Sequence, residues 1–170
     1  VMALRIVDEA GDEVPTGERG ELLVSGTGMF RCYWNRPDAT AEVYQDGWLK
    51  TGDVAYLDDE GFLFIVDRIK DLVIRGGENI GCGEVEAALL EHESVLEAAV
   101  YGVPDERLGE EVGATIYCRE PVDTDALRGF LAERVAQFKV PRYVAFSAEP
   151  LPRIASGKIN KRALREAARS

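Results

Sequence analysis

The organisation of this chain is decided by the stretch Val66-Asp67-Arg68-Ile69-Lys70-Asp71-Leu72-Val73-Ile74-Arg75-Gly76-Gly77-Glu78-Asn79-Ile80. Its charged residues separate two apolar runs, 62–66 and 72–74, that are typical of strands. The second run ends in Gly76-Gly77, where the backbone can adopt positive φ and lie close to a ligand or to another segment. The composition changes here, from turn-rich β structure to mixed helix and strand. We therefore predict a domain boundary between residues 67 and 68.

Residues 1–67 have the pattern of β structure with many turns. We predict strands at 4–7 and 21–25, a short helix at 39–44, and a hairpin in which the strands 54–57 and 62–66 flank a polar turn closed by Gly61. A segment of this size built from hairpins buries too little surface to be stable by itself. Its strand edges should therefore pair with another chain or stay disordered.

Residues 68–170 mix helices with strands over enough chain for a hydrophobic core. We predict helices at 83–93, after an N-cap at Asp123 or Thr124, and after an N-cap at Asn160. The predicted strands are 95–103, which Pro104 would end, 111–118 and 143–146.

Composition excludes several classes of protein. The formal net charge of −11 argues against general binding to nucleic acids or anionic membranes. No apolar run approaches the roughly 20 residues of a membrane-spanning helix. The 3 cysteines are widely spaced and the single histidine cannot support a histidine-rich metal site. We expect a cytoplasmic protein with reduced cysteines and no metal ligands in this chain.

Two side chains are candidates for nucleotide chemistry. Asp53 follows Thr51-Gly52 at the expected tip of a connection between strands, where its carboxylate can accept hydrogen bonds from ribose hydroxyls. The alternative is an Asx turn in which Asp53 bonds its own backbone. Lys158 follows Ser156-Gly157 on a predicted loop, and its ammonium group can stabilise charge on phosphate or carboxylate oxygens. The alternative is a surface lysine in a basic tail.

Three blocks of the sequence, in this order, resemble the adenylate-forming family of acyl- and aryl-CoA synthetases, luciferases and peptide-synthetase adenylation domains. They are Gly47-Trp48-Leu49-Lys50-Thr51-Gly52-Asp53, the stretch from Val66 to Glu78, and Pro152-Arg153-Ile154-Ala155-Ser156-Gly157-Lys158-Ile159. The resemblance implies an α+β fold. Residues 1–67 would be the β-hairpin end of a large N-terminal adenylation domain. Residues 68–170 would be a small mixed α/β C-terminal lid domain, with a central antiparallel sheet and flanking helices.

The resemblance also implies the chemistry. Such enzymes join a carboxylic acid to AMP by using ATP with Mg²⁺ and then transfer the acyl group to coenzyme A. The glycine-, serine- and threonine-rich loop for the ATP phosphates, the Mg²⁺ contacts and the acid pocket do not occur in this sequence. We therefore expect them from an N-terminal domain of the same protein, and we expect the 170-residue chain to be inactive by itself.

By position, the resemblance assigns a role to nine residues. Asp53 and Arg68 would contact the ATP ribose, Lys70 would be the hinge, and Lys158 would bridge the acid and the α-phosphate during adenylation. The remaining positions would contact coenzyme A: Gly76, Gly77 and Glu78 along the pantetheine tunnel, and Phe138 and Arg142 at the nucleotide end. Val140 departs from the family pattern, since some relatives carry a basic residue there.

Two other functions remain open from the sequence. The chain can belong to a peptide-synthetase adenylation domain that loads a carrier protein, or it can be a non-catalytic binding module that retains the lid fold. The acid itself is not identified by these residues.

Overall fold

The computed structural model describes residues 2–168, which divide into two compact units between Lys70 and Asp71. The boundary predicted from the sequence, after residue 67, lies within the last strand of the first unit.

The first unit is an antiparallel sheet with one short helix. Its strands are β1 (Met2–Val7), β2 (Gly20–Gly26), β3 (Tyr44–Gln45), β4 (Trp48–Leu57) and β5 (Leu63–Arg68), and its helix is α1 (Pro37–Val43). The strand order is β1-β2-β4-β3, and β5 also pairs with β4. Self-association through the outer strands β1 and β5 stays a prediction.

The predicted hairpin is confirmed in β4 and β5, which pair antiparallel from Leu57 and Leu63 at the turn to Asp53 and Arg68. The side chain of Asp58 closes the turn by accepting hydrogen bonds from two backbone amides of the following residues. One face of the sheet is buried in a small core made of Ile6, Leu22, Val24, Leu49 and Ala55.

The position predicted for Asp53 is wrong. β4 is continuous from Trp48 to Leu57, so Asp53 lies within a strand and not at the tip of a connection. Gly52 has a φ of 71°, and the pairing of β4 with β5 is irregular between Val54 and Ala55. Pairing with β2 and β5 nevertheless continues across this irregularity, because a β-bulge bends a strand without ending it.

The second unit mixes helices with a five-stranded sheet. Its strands are β6 (Leu72–Arg75), β7 (Glu78–Gly81), β8 (Val95–Asp105), β9 (Gly109–Cys118) and β10 (Tyr143–Ser147). Its helices are α2 (Cys82–Leu90), α3 (Thr124–Ala132) and α4 (Lys161–Ala167), and short 3₁₀ helices occur at Ile69–Asp71 and Gln137–Lys139. The order is β10-β9-β6-β7, with β8 also against β9. The α+β fold class is confirmed, although β10 runs parallel to β9 in an otherwise antiparallel sheet.

Two local predictions in this unit need correction. β7 is missing from the predicted strands because two polar residues, Glu78 and Asn79, begin it. The predicted end of a strand at Pro104 is wrong, since β8 continues to Asp105 and Pro104 pairs with Glu110. An edge strand tolerates proline because the missing amide hydrogen is not needed for the ladder, and in residues 2–168 β8 pairs with β9 alone.

Helices α2 and α3 pack on the sheet through apolar faces, with Val85, Leu89, Leu127 and Leu131 almost fully buried. Asp123 is the N-cap of α3 and accepts hydrogen bonds from two backbone amides, as predicted. Within the described residues, no helix is both long and apolar enough to cross a membrane.

Helix α4 begins after Asn160, whose side chain accepts a hydrogen bond from Ala163. It has no fully buried residue. Two ion pairs join it to the rest of the unit: Lys161 with Glu86 at 2.8 Å, and Arg165 with Glu110.

Candidate functional site

Asp53 and Arg68 lie opposite each other on β4 and β5. Arg68 Nε is 3.0 Å from Asp53 Oδ1, and the carboxylate side chain is 18% exposed. The Thr51 hydroxyl accepts a hydrogen bond from the amide of Asp53 and donates one to the carbonyl of Leu22, which fixes the strand next to the carboxylate. A carboxylate has about four acceptor sites, so the ion pair leaves acceptor capacity for two hydroxyl groups.

Lys70 lies in the exposed connection between the two units. It belongs to the 3₁₀ helix Ile69–Asp71, which contains no buried residue. Just before this 3₁₀ helix, the amide of Arg68 donates a hydrogen bond to the Asp67 carboxylate at 2.7 Å. Because none of its residues is fully buried, little packing opposes rotation of its backbone, and a hinge requires that freedom.

Gly76 and Gly77 form the exposed two-residue turn between β6 and β7, where Arg75 pairs with Glu78. Their φ angles of 59° and 89° lie in the region that favours glycine. The Gly76 amide donates to the Leu108 carbonyl at 2.8 Å, and a Cβ atom on Gly76 would lie 3.2 Å from the Leu108 side chain. A Cβ atom on Gly77 would meet no atom within 4 Å. Gly77 therefore presents bare backbone outward.

A buried carboxylate that sequence reasoning missed lies next to this turn. Glu111 is 1% exposed, and both of its oxygens contact the guanidinium of Arg75 at 2.9 and 3.0 Å. The hydrogen bond to Glu111 raises the pKa of Arg75 above its ordinary value. Arg142, predicted to contact coenzyme A, lies with its Nη1 3.8 Å from Glu111 Oε1. Both Arg75, which precedes the glycine turn, and Arg142 therefore lie next to the Glu111 carboxylate.

Phe138 lies on the 3₁₀ helix Gln137–Lys139 and is 37% exposed. The neighbouring ammonium group of Lys139 bonds both carboxylate oxygens of Glu84, at 2.8 and 2.7 Å. This pair fixes the 3₁₀ helix to the start of α2. Val140, the departure noted in the sequence, is half-buried and packs against the core of the second unit.

Lys158 is exposed on the loop that connects β10 to α4. Arg153 and Ile159 form an isolated antiparallel bridge, so the loop closes on itself. The Lys158 carbonyl accepts a hydrogen bond from Ile154 at 2.9 Å, and Gly157 has a φ of 84°. Among residues 2–168, no side chain forms a hydrogen bond or ion pair with the Lys158 ammonium group. The loop therefore presents a free positive charge from a defined backbone.

Over the same range of described residues, no group of three or more His, Cys, Asp or Glu side chains is arranged to hold a metal ion.

The predicted site residues lie in separate groups. Asp53 and Arg68 are together in the first unit. The glycine turn and Arg142 are linked through Glu111 in the second, where Lys158 occupies a separate loop.

The chain is similar to proteins that are named as coenzyme A ligases and synthases. Residues 84–158 match the family described as AMP-binding enzyme C-terminal domain. A long-chain-fatty-acid–CoA ligase of Bacillus subtilis (strain 168) is 46% identical over 94% of this chain and 29% of its own length. A feruloyl-CoA synthase of an Amycolatopsis species is 46% identical over 93% of this chain and 32% of its own length.

A solved structure has the same fold. The o-succinylbenzoate CoA synthetase MenE from Bacillus subtilis, in complex with the acyl-adenylate intermediate OSB-AMP, superposes with a TM-score of 0.90 and 40% identity, over 96% of this chain and 34% of that protein. This chain thus spans about a third of the length of the relatives that it matches. Residues 84–158 thus match the AMP-binding enzyme C-terminal domain, and over most of its length the chain is similar to part of each of these coenzyme A ligases and synthetases.

Proposed function

We propose that this chain is the C-terminal portion of an AMP-forming acid–CoA ligase, in which Lys158 stabilises formation of the acyl-adenylate. The observation that carries the proposal is the ammonium group of Lys158, which has no side-chain partner among residues 2–168. It is held on a closed loop at the last residue of the matched family region. Residues 1–67 would then be the end of the N-terminal adenylation domain and residues 68–170 the lid.

The first reaction joins two anions. A carboxylate oxygen of the acid attacks the α-phosphorus of ATP, the bond from that phosphorus to the bridging oxygen breaks, and pyrophosphate leaves. Negative charge accumulates on the α-phosphate oxygens in the transition state. A lysine ammonium placed between the acid and this phosphate stabilises that charge more strongly than it stabilises the separate reactants. Bound Mg²⁺ supplies further charge neutralisation on the phosphates.

In the second reaction, the coenzyme A thiolate attacks the acyl carbonyl, a carbon–sulfur bond forms, and AMP leaves with the electrons of the carbon–oxygen bond. This step requires space for the pantetheine arm and not for Lys158. The exposed Gly76-Gly77 turn offers bare backbone that an extended arm can approach closely. Rotation of the lid about Lys70 would exchange the Lys158 loop for the glycine turn between the two reactions.

Substrate binding is assigned to the same residues that the resemblance indicates. Asp53 and Arg68 would hold the ribose hydroxyls, and Phe138 and Arg142 would contact the nucleotide end of coenzyme A. The acid is not identified by this chain, since relatives of equal similarity are named for a long-chain fatty acid and for ferulate.

The test uses the complete enzyme that carries this chain, with a panel of fatty, aromatic and short-chain acids. We would measure acid-dependent ATP–pyrophosphate exchange for the first reaction, and release of AMP from a pre-formed acyl-adenylate with coenzyme A for the second. Lys158→Ala should lower the first rate by about 10²- to 10³-fold, the usual cost of removing one transition-state charge contact. The second rate should change little.

Arg162→Ala is the matched control, because it removes an exposed positive charge from the start of α4 without touching the loop. Unchanged adenylation in Lys158→Ala would contradict the proposal and favour a binding module. Transfer to a carrier protein but not to coenzyme A would favour the peptide-synthetase alternative.

A further inference from the structure

One carboxylate on β8 holds the Lys158 loop at two points. Glu97 Oε2 accepts a hydrogen bond from the Leu151 amide at 2.7 Å, and Glu97 Oε1 accepts one from Arg153 Nη2 at 2.5 Å. Leu151 is 2% exposed, so the first contact lies where the chain leaves the core and enters the loop. The second contact is made two residues later.

Arg153 extends this tether to the residue that precedes Lys158. Its Nη1 donates a hydrogen bond to the Gly157 carbonyl at 2.7 Å, while its Nη2 is bonded to Glu97. The planar guanidinium has donors in fixed directions and can therefore bridge two acceptors without bending. A continuous path of hydrogen bonds runs from β8 through Arg153 to the peptide bond between Gly157 and Lys158.

Burial does not hold the loop in place. Residues 152–158 are all exposed, so apolar packing contributes little to the position of Lys158. The backbone hydrogen bonds from Ile154 to Lys158 and from Gly157 to Ile154 close the loop on itself but do not attach it to the sheet. Glu97 attaches the loop to the sheet. The hydrogen bond from the Asn160 amide to the Pro152 carbonyl joins only the first and last parts of the loop to each other.

We propose that Glu97, acting through Arg153, is a positioning residue that holds the Lys158 ammonium group in place for acyl-adenylate formation. Glu97 bonds the loop and not the reacting atoms, so its effect on rate is transmitted by geometry. The inference rests on the proposed function of Lys158. A displacement of about 1 Å at a reacting group can cost about 10²-fold in rate, so a tether of this kind is needed where packing is absent.

The proposal predicts which reaction depends on Glu97. Loss of the tether should slow the first reaction, where Lys158 acts, and should leave thioester formation from a pre-formed acyl-adenylate unchanged. A general structural defect would impair both reactions. The apparent KM for the acid should also stay nearly constant, because the loop is needed for the transition state and not for binding of the acid.

The variants are Glu97→Gln, Arg153→Lys and the double variant, made in the complete enzyme. Glutamine keeps the shape of Glu97 but presents an amide group toward Arg153 or Leu151. Lysine keeps the charge of Arg153 but lacks the guanidinium group, whose two terminal nitrogens donate to Gly157 and Glu97. Glu91→Gln is the matched control, because it also removes a glutamate–arginine pair, with Arg134 Nε at 3.0 Å, from the same unit.

We would measure both half-reactions and the hydrogen exchange of the loop peptide, with attention to the amides of Ile154 and Gly157. Glu97→Gln should lower the adenylation kcat by about 10-fold, as expected for loss of a hydrogen bond between charged groups. Arg153→Lys should have a similar effect, and the double variant should be no slower than the slower single variant. Exchange of the two amides should be faster in each.

Adenylation and amide exchange equal to those of Glu91→Gln would overturn the proposal. Additive losses in the double variant would also overturn it, since Glu97 would then not act through Arg153. Normal adenylation by Lys158→Ala would contradict the proposed function of Lys158, which is a different result from those above. In that case the exchange measurement still decides whether Glu97 tethers the loop.

Discussion

Arg68 and Asp53 are directly paired across β5 and β4, with the guanidinium Nε 3.0 Å from the carboxylate Oδ1. These are the two residues that the resemblance assigns to the ribose, and the hairpin brings them together. The ribose role itself is a proposal, and it leads to the first prediction.

Asp53→Asn should weaken nucleotide binding in the complete enzyme. The amide keeps one acceptor but loses the charge, and it can accept fewer hydrogen bonds from a pair of hydroxyls. A hydrogen bond to a charged group contributes roughly 1.5–3 kcal/mol, so we expect the KM for ATP to rise by about 10-fold or more. Asp59→Asn, in the exposed turn of the same hairpin, is the control. An unchanged KM for ATP would contradict the ribose role of Asp53.

Gly77→Ala should slow thioester formation more than adenylation. The φ of 89° places alanine in a strained region that costs about 1–2 kcal/mol per residue, and the added methyl group projects outward, where coenzyme A is proposed to pass. Gly61→Ala is a matched control, since Gly61 has a φ of 84°, also meets no atom within 4 Å, and lies in the turn of the other hairpin. Equal effects of both variants on the two half-reactions would argue against a pantetheine contact at Gly77.

Gly102→Ala should destabilise the second unit. A Cβ atom there would lie 2.5 Å from the carboxylate of Glu110, which accepts a hydrogen bond from the Ile74 amide and pairs with Arg165 of α4. The carboxylate must move, and an unsatisfied polar group costs about 1–3 kcal/mol. Urea denaturation measures the free energy of unfolding.

Gly129→Ala is the control for this substitution. Gly129 lies within α3 and a Cβ atom would meet nothing within 4 Å. Alanine in a helix interior is favoured over glycine by about 0.5–1 kcal/mol, so stability should rise. A Gly102→Ala protein as stable as the parent would show that Glu110 does not depend on the open space at Gly102.

Protection of the Lys158 loop should depend on pH through Glu97. The hydrogen bond from the Leu151 amide, together with the one from Arg153, lowers the pKa of Glu97 below its ordinary value and outweighs the effect of burial. The contribution of charged Glu97 is therefore fully present above the ordinary glutamate pKa and is lost as the pH falls through the lowered value.

Hydrogen exchange of the loop, corrected for intrinsic rates, measures this dependence between about pH 6 and about pH 3. The protection should begin to decrease near the ordinary glutamate pKa and should be lost as the pH falls through the lowered value. In Glu97→Gln this pH-dependent loss should be absent. An identical profile in the two proteins would show that another group governs the loop.

Features that depend on neighbouring residues could be predicted from the order of the amino acids. The hairpin of β4 and β5 follows from a polar turn between two β-rich runs, and the caps Asp123 and Asn160 follow from residue type next to an apolar helical pattern. The three motif blocks, read in order, identified the family. Each of these signals lies within a few positions along the chain, so it can be read without knowing the fold.

Features that depend on partners far away in the sequence could be recognised only in the folded chain. Glu97, Glu110 and Glu111 look like ordinary surface carboxylates in the sequence, yet each bonds a basic residue from a distant element. Pro104 was expected to end a strand because its position at the sheet edge was unknown. A charged carboxylate is stable in a low-dielectric environment only where folding supplies its cation and hydrogen-bond donors. Because those partners are distant in the sequence, local sequence patterns do not predict the pairing.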